Sequence, residues 1–218
     1  MTGETMFVLY SSRMVRPKNA DSEETWNRII AAARQDLTHD ESGAIDISMR
    51  QVALTSGVSL GTIHYYFPTK EALLDACLDA YYASLRELAV ELATRIGQGT
   101  RENGRALLDE CVRRVYRFAL SERPRLKLRA RMNTQRGHLS PNLDVHERDW
   151  FTPLLAPLTD VAPSELRMAF QTMTFVIMHH VLLSDAELVQ IVGVGGDAGR
   201  QRIEDHIARV ARLLVFEV

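Results

Sequence analysis

Apolar residues recur at helical spacing over most of the chain. Trp26, Ile29, Ile30, Ala33 and Leu37 form one stripe, which predicts a helix from about Asp21 that ends before Asp40–Gly43. Between Ser48 and Lys70 the apolar positions Val52, Ala53, Val58 and Ile63 are spaced so that two short helices close on each other. Ala53 is small where the second helix must cross the first, and Gly57 sits where the turn needs a positive φ. Ser48 with Gln51 reads as an S-x-x-Q capping box, and Ser59 caps the second helix. The pattern is a helix-turn-helix, whose second helix is of the kind that enters a DNA major groove.

Pro68-Thr69 stops that helix and starts another, with Leu73, Leu74, Cys77, Leu78, Tyr81, Leu85, Leu88 and Leu92 on its apolar side, running to about Ile96. Gly97 to Gly104 is a turn, and the next amphipathic helix buries Leu107, Leu108, Cys111, Val115 and Phe118. From Pro124 to Met132, Leu126, Leu128, Ala130 and Met132 alternate with basic residues, which is strand periodicity. No other segment offers a partner strand, and a lone strand leaves its backbone groups unpaired, so a helix is expected. Further helices are predicted at about Leu143–Leu158, Ser164–Leu183 and Arg200–Phe216. Met173 to Leu183 is apolar almost all round, so burial on both sides is expected, by its own core and by a partner subunit. The expected fold is all-α with about nine helices: a three-helix, helix-turn-helix DNA-binding domain joined to a C-terminal helical domain.

Composition agrees with a globular protein: 218 residues, 46% hydrophobic and 25% charged. A formal net charge of −2 excludes a protein that coats nucleic acid nonspecifically. The only cysteines, Cys77 and Cys111, stand alone inside helical patterns, so neither a zinc site nor a disulfide framework is expected. The apolar start Met6–Tyr10 is too short for a signal sequence and no run approaches a membrane span, which suggests a reducing cytoplasm. Residues 1–20 lack periodicity and carry Arg13, Arg16 and Lys18, so they read as a flexible basic arm.

Three signals invite other chemistry. Gly193-Val194-Gly195-Gly196-Asp197-Ala198 mimics a dinucleotide fingerprint, but the chain ends before a second strand and its acidic residue, so a helix-to-helix linker is expected. His179 and His180 point about 100° apart on a helix and cannot share one metal, so an interior hydrogen-bonded histidine is the expectation. Arg113 to Arg136 carries nine basic residues against one acid, Glu122. A solvated face with some pairing is the default reading there; an anionic effector or electrostatic help toward DNA is the alternative. No paired carboxylates, nucleophile–base spacing or cofactor motif is found, so no enzyme, cofactor or metal is expected.

Gly57-Val58-Ser59-Leu60-Gly61-Thr62-Ile63-His64-Tyr65-Tyr66-Phe67, followed by Pro68-Thr69-Lys70-Glu71-Ala72-Leu73, resembles the tetracycline-repressor (TetR) family of bacterial transcription regulators. Trp26 through Leu37 is similar to that family's first helix, and the likeness covers roughly Ser22 to Leu78. The chain departs from the pattern in a longer loop at Thr38–Gly43, in Arg34 and Asp36 at usually apolar positions, and in Leu60 where lysine is frequent.

The resemblance implies a DNA-binding domain over residues 21–70 and a ligand-binding and dimerisation domain over 71–218. It implies DNA contacts from Arg50, Gly61, Thr62, His64, Tyr65, Tyr66 and Lys70, with Tyr66 and Lys70 as phosphate clamps and His64 and Tyr65 projecting into the groove. It also implies a homodimer on palindromic double-stranded operator DNA, joined through the last two helices, with half-sites ~34–36 Å apart. A small-molecule pocket follows from the same likeness, with Tyr116, Met132, Trp150, Phe175 and His179 as candidate walls. The function so implied is a cytoplasmic, ligand-responsive repressor. The alternatives are a nucleoid-associated regulator of another protein and an all-α small-molecule-binding protein or enzyme.

Overall fold

The computed structural model describes residues 20–37, 47–135 and 151–216. Among them every regular element is helical: α1 (Ala20–Asp36), α2 (Met49–Ser56), α3 (Leu60–Tyr66), α4 (Lys70–Gly97), α5 (Gly104–Ser121), α6 (Arg123–Gln135), α7 (Phe151–Leu155), a 3-10 turn (Ala156–Leu158), α8 (Pro163–Leu182), α9 (Asp185–Val192) and α10 (Gly196–Phe216). The chain divides into two units, one ending at Cys77 and the other beginning at Leu78, so the boundary falls inside the single helix α4.

In the first unit α1 packs on α2 and α2 on α3. The stripe Ile29, Ile30, Ala33 and Leu37 is buried together with Val52, Ala53, Ile63 and Phe67. Each large apolar side chain so buried contributes about 1.5–3 kcal/mol. Trp26 leans on Phe67 with ring centroids 6.4 Å apart. Gly57 adopts φ +67° and its N–H donates to the carbonyls of Ala53 and Leu54, so the left-handed turn caps α2 as the spacing demands.

The capping box expected at Ser48 forms only by half. Its hydroxyl accepts from the Gln51 N–H at 3.3 Å, but the Gln51 amide donates to Thr55 instead. The Ser48 N–H goes to the Asp36 carboxylate at 3.1 Å. A carboxylate is the stronger acceptor, and its position at the end of α1 brings it within reach. Asp36, polar where an apolar residue is usual, thereby links α1 to the start of α2.

In the second unit α10 packs against α5, α8 and α9, while α6 packs against α5 and α8. The core draws Leu88, Leu92 and Ile96 from α4, Leu108 and Tyr116 from α5, Ile177 and Val181 from α8, and Ile203 and Ile207 from α10. The segment with alternating pattern is helical, as α6. Leu126 and Leu128 are both fully buried, so this helix is covered on more than one side.

One helix was not anticipated. Ser184–Glu187 forms a complete capping box that starts α9, which ends on Gly193 at φ +77°. The glycine run after it is therefore the turn between α9 and α10, and α10 begins at Gly196 rather than near Arg200. In the helix predicted at Leu143–Leu158, only the part from Phe151 onward lies within the described residues. The N-terminal arm and the loop at Thr38–Gly43 lie outside them.

The solvated face with some pairing expected for Arg113–Arg136 forms only in part: Arg114 and Arg117 are exposed and paired to acids, while Arg125 and Arg129 are not solvated. Arg117 grips Glu204 with Nε and Nη2 at 2.9 and 2.7 Å, and Arg113 reaches Glu204 and Asp205 at 3.2 and 2.6 Å. Arg123 donates to the Leu182 and Leu183 carbonyls at the end of α8. Arg125 and Arg129 are buried outright. Packing of α5 and α6 against α8 and α10 brings Arg113, Arg117 and Arg123 to acids and carbonyls that lie far away in sequence and buries Arg125 and Arg129.

Candidate nucleic-acid interface and the helical unit beyond it

Helix α3 is held by Ile63 inside and by Phe67 just past its end, both fully buried one helical turn apart. Ser59 starts it: its hydroxyl accepts from the Thr62 N–H at 3.0 Å and lies 2.8 Å from the Thr62 hydroxyl. With the inner face so anchored, Gly61, His64 and Tyr65 are driven to the outer face, and Tyr65 is 76% exposed. Its ring meets Tyr66 edge-on at 5.3 Å, and Tyr66 in turn leans on Phe67 at 6.4 Å. Tyr66 is thus half-buried, with its ring braced by neighbours on both sides.

Arg50 is exposed on the first turn of α2, and Lys70 is half-buried at the first position of α4. Thr69 accepts from the Ala72 N–H at 3.1 Å and so caps α4. Thr62 has its hydroxyl engaged with Ser59. A Cβ added at Gly61 would meet only the Ser59 Oγ at 3.6 Å, an ordinary contact, so the fold itself does not demand glycine there. Sequence reasoning passed over Leu54, which is exposed on α2 although it is a large apolar residue. The outer face of α3 presents an aromatic and imidazole ridge, and Arg50 and Lys70 begin the helices before and after it in the chain.

Of the five residues considered as ligand walls, three have described side chains. Tyr116 is fully buried on α5, and desolvation raises the pKa of its hydroxyl. The Arg200 guanidinium lies beside that hydroxyl without completing a well-formed hydrogen bond. Phe175 and His179 are exposed on α8. Met132 belongs to α6, in the part whose side chains lie outside the described set, and Trp150 lies outside the described residues altogether.

His180 is half-buried, and its Nδ1–H donates to the Val176 carbonyl at 2.7 Å. Its ring contacts His179 and His206 at 5.2 and 6.1 Å. Burial first, then the charges of those two neighbours, hold its pKa below the usual imidazole range. Among the described residues no group of three or more His, Cys, Asp or Glu side chains is placed to hold a metal ion.

A cleft of about 140 Å³ lies between α4 and α5, lined by Arg95, Arg113, Arg114 and Arg117 above Cys111. Its cations are matched by Glu110, Glu204, Asp205 and Glu91. Burial pushes the Cys111 thiol up to about 11, which leaves it a poor nucleophile. The cleft therefore marks a bridging ion-pair network rather than a site with spare charge. No single helix among the described residues is long and apolar enough to cross a membrane.

Residues 29–77 match the family model described as bacterial regulatory proteins, tetR family. Among solved structures, one described as a TetR-family transcriptional regulator from Mesorhizobium loti MAFF303099 is 15% identical, with 90% of this chain and 97% of that chain covered and a TM-score of 0.62. At that identity the likeness establishes the fold, and it does so over both units. A TetR transcriptional regulator from Rhodococcus sp. RHA1 is 18% identical over 90% of this chain and 97% of its own, with a TM-score of 0.43. A gamma-butyrolactone receptor (ArpA-like protein) is 21% identical over 87% of this chain and 98% of its own, at a TM-score of 0.48. No curated protein sequence matches the chain.

Proposed function

Since residues 29–77 form the DNA-binding domain of the tetR family of bacterial regulatory proteins, we propose that this DNA-binding transcriptional regulator is a ligand-responsive repressor that acts as a homodimer in the cytoplasm. It binds a palindromic operator and is released when a small molecule binds the helical unit after Leu78. The observation that carries the DNA reading is the outer face of α3. Gly61, His64 and Tyr65 are exposed there while Ile63 and Phe67 lock the opposite side. A bare glycine that the fold does not require keeps side-chain bulk off the surface nearest to DNA.

In this reading His64 and Tyr65 contact base edges, the methyl of Thr62 reaches a thymine, and Arg50, Tyr66 and Lys70 hold phosphates. One seven-residue helix reads only a few base pairs, so two copies related by a twofold axis supply the rest. Met168 and Phe175 on α8 and Leu213 on α10 are large apolar side chains exposed on the single chain. Such groups support an interface through α8 and α10. Effector binding then favours a conformation in which α4 is shifted and the two recognition helices no longer match the half-site spacing. The protein works by binding alone and catalyses no reaction.

Selection of bound sequences from random duplex DNA tests this directly. Enrichment of one inverted repeat with half-sites about one helical turn apart, or slightly more, is the expected result. Recovery of sequences without twofold symmetry, or of none above background, overturns it. Enrichment of that same repeat at many places spread over the chromosome points instead to a regulator that marks sites for another protein.

A further inference from the structure

Among the described residues of the basic stretch on α5 and α6, Arg129 is buried without an ion pair. Arg113 and Arg117 end on carboxylates, and Arg123 ends on backbone carbonyls. Arg125 faces Glu122 at 3.2 Å. Arg129, one turn further along the same side of α6, is 3% exposed, and its Nη2 is buried without a hydrogen-bond partner. It makes no ion pair with any described residue. Instead its guanidinium stacks over the Tyr82 ring, 5.6 Å from the centroid.

An arginine cannot shed its proton to escape burial, so an uncompensated guanidinium in a protein core is a heavy cost to the empty protein. Stacking on an aromatic face recovers part of it and fixes the guanidinium plane. The edge of the fork still has donors to give. Burial pushes the Tyr81 hydroxyl, which lies beside Arg129, up to about 12, so it remains a neutral donor at every working pH. On the same two helices Tyr81, Leu126 and Leu128 are buried, and Tyr82 and Leu85 pack against the core.

A forked donor with a fixed plane and a neutral hydroxyl beside it, on helices rich in buried apolar side chains, suits a planar or tetrahedral oxyanion carried on an apolar body. We propose that Arg129 anchors the acidic head group, carboxylate or phosphate, of the small-molecule effector, with Tyr82 holding the guanidinium plane and Tyr81 beside it. This rests on the reading of the unit after Leu78 as effector-binding, and it gives that effector a charge. The competing arginine cleft between α4 and α5 is not the site, because its cations already have acids.

The full-length protein is melted in added sodium benzoate, sodium phosphate, the neutral isostere benzamide or sodium chloride, all at one ionic strength, alongside Arg129→Met and Arg129→Lys. For the wild type, benzoate or phosphate raises the melting temperature in a saturable way and benzamide and chloride do not; whichever anion acts identifies the head group. Arg129→Met shows no such rise, and without anion it melts at or above the wild type, because an apolar chain of similar length replaces an unmatched charge. Arg129→Lys keeps the charge without the fork and weakens the response by roughly tenfold or more.

An equal rise in Arg129→Met overturns the proposal, as does a wild type that responds to neither anion beyond chloride. Melting of Arg129→Met well below the wild type also overturns it, since the guanidinium would then be serving the fold. Binding of the wild type to selected operator DNA is measured in parallel. Its absence removes the regulator reading and leaves the anion site standing, whereas intact operator binding without an anion response removes this inference alone.

Discussion

Lys70 stands at the first position of α4, where in the proposed reading its ammonium and the N–H groups of a helix start hold the same phosphate. Lys70→Ala should weaken binding by a similar factor for operator and non-operator DNA and reduce the slope of log K against log salt by roughly one unit. Titrations at several salt concentrations check this, and an unchanged slope removes Lys70 from the contacts. His180 makes a second residue-scale prediction. Its folded pKa lies below the usual value because of burial, with His179 and His206 adding to the effect. The unfolded chain therefore takes up the proton first, at about pH 6.5. The stability this neutral imidazole contributes is present in full above that pH and is lost as pH falls toward the folded value. Urea midpoints for wild type and His180→Gln between pH 7.5 and 5.5 should show a smaller decline in the variant; parallel declines contradict the assignment.

At the scale of elements, the turn between α2 and α3 is set by backbone conformation alone. A Cβ at Gly57 would meet nothing within 4 Å, so Gly57→Ala tests the positive φ without a packing clash. A loss of about 1 kcal/mol in denaturant unfolding is expected, with the helix content retained. A neutral result would mean that the turn relaxes to another conformation. Helix α6 illustrates how a periodicity signal fails. Leu126 and Leu128 are two residues apart, which on a strand would place them on one face, yet both are buried on a helix packed by α5 and α8. Alternation ceases to discriminate once a helix is surrounded, because apolar residues are then accepted at every angle. Helix α9 failed for the opposite reason. Its capping box, Ser184 to Glu187, was a legible start signal, but a short apolar run before a glycine cluster gives too few turns to establish a period.

For the whole molecule, the proposed function turns on association. Met168 at 62% exposure and Phe175 at 47% lie on α8, and Leu213 at 47% on α10, all large apolar groups facing out of the single chain. Phe175→Asp should convert a dimer into a monomer in sedimentation and cost most of the operator affinity, while circular dichroism of the helices stays unchanged. Persistence of the dimer would move the interface to another face. Sequence pattern leaves the role of Phe175 open, because a residue of an almost wholly apolar helix can serve the interior, a cavity or a partner.

Local features were decided by the sequence itself. The stripe from Trp26 to Leu37, the glycine at the αL turn, the Ser59 cap and the inner pair Ile63 and Phe67 follow from spacing and side-chain type, because each depends on neighbours within a turn or two. The outer residues of α3 are named from the family resemblance, and the buried pair Ile63 and Phe67 leaves them on the opposite face. The fate of the cations could be decided only by tertiary structure. Whether an arginine meets water, Glu204 or no acid at all depends on which helix lies across from it. Arg117 and its carboxylate are 87 positions apart. Arg125 and Arg129 share a side of α6 by simple helical arithmetic, with Glu122 just before its start, but only the packing of α6 puts that side inside the protein.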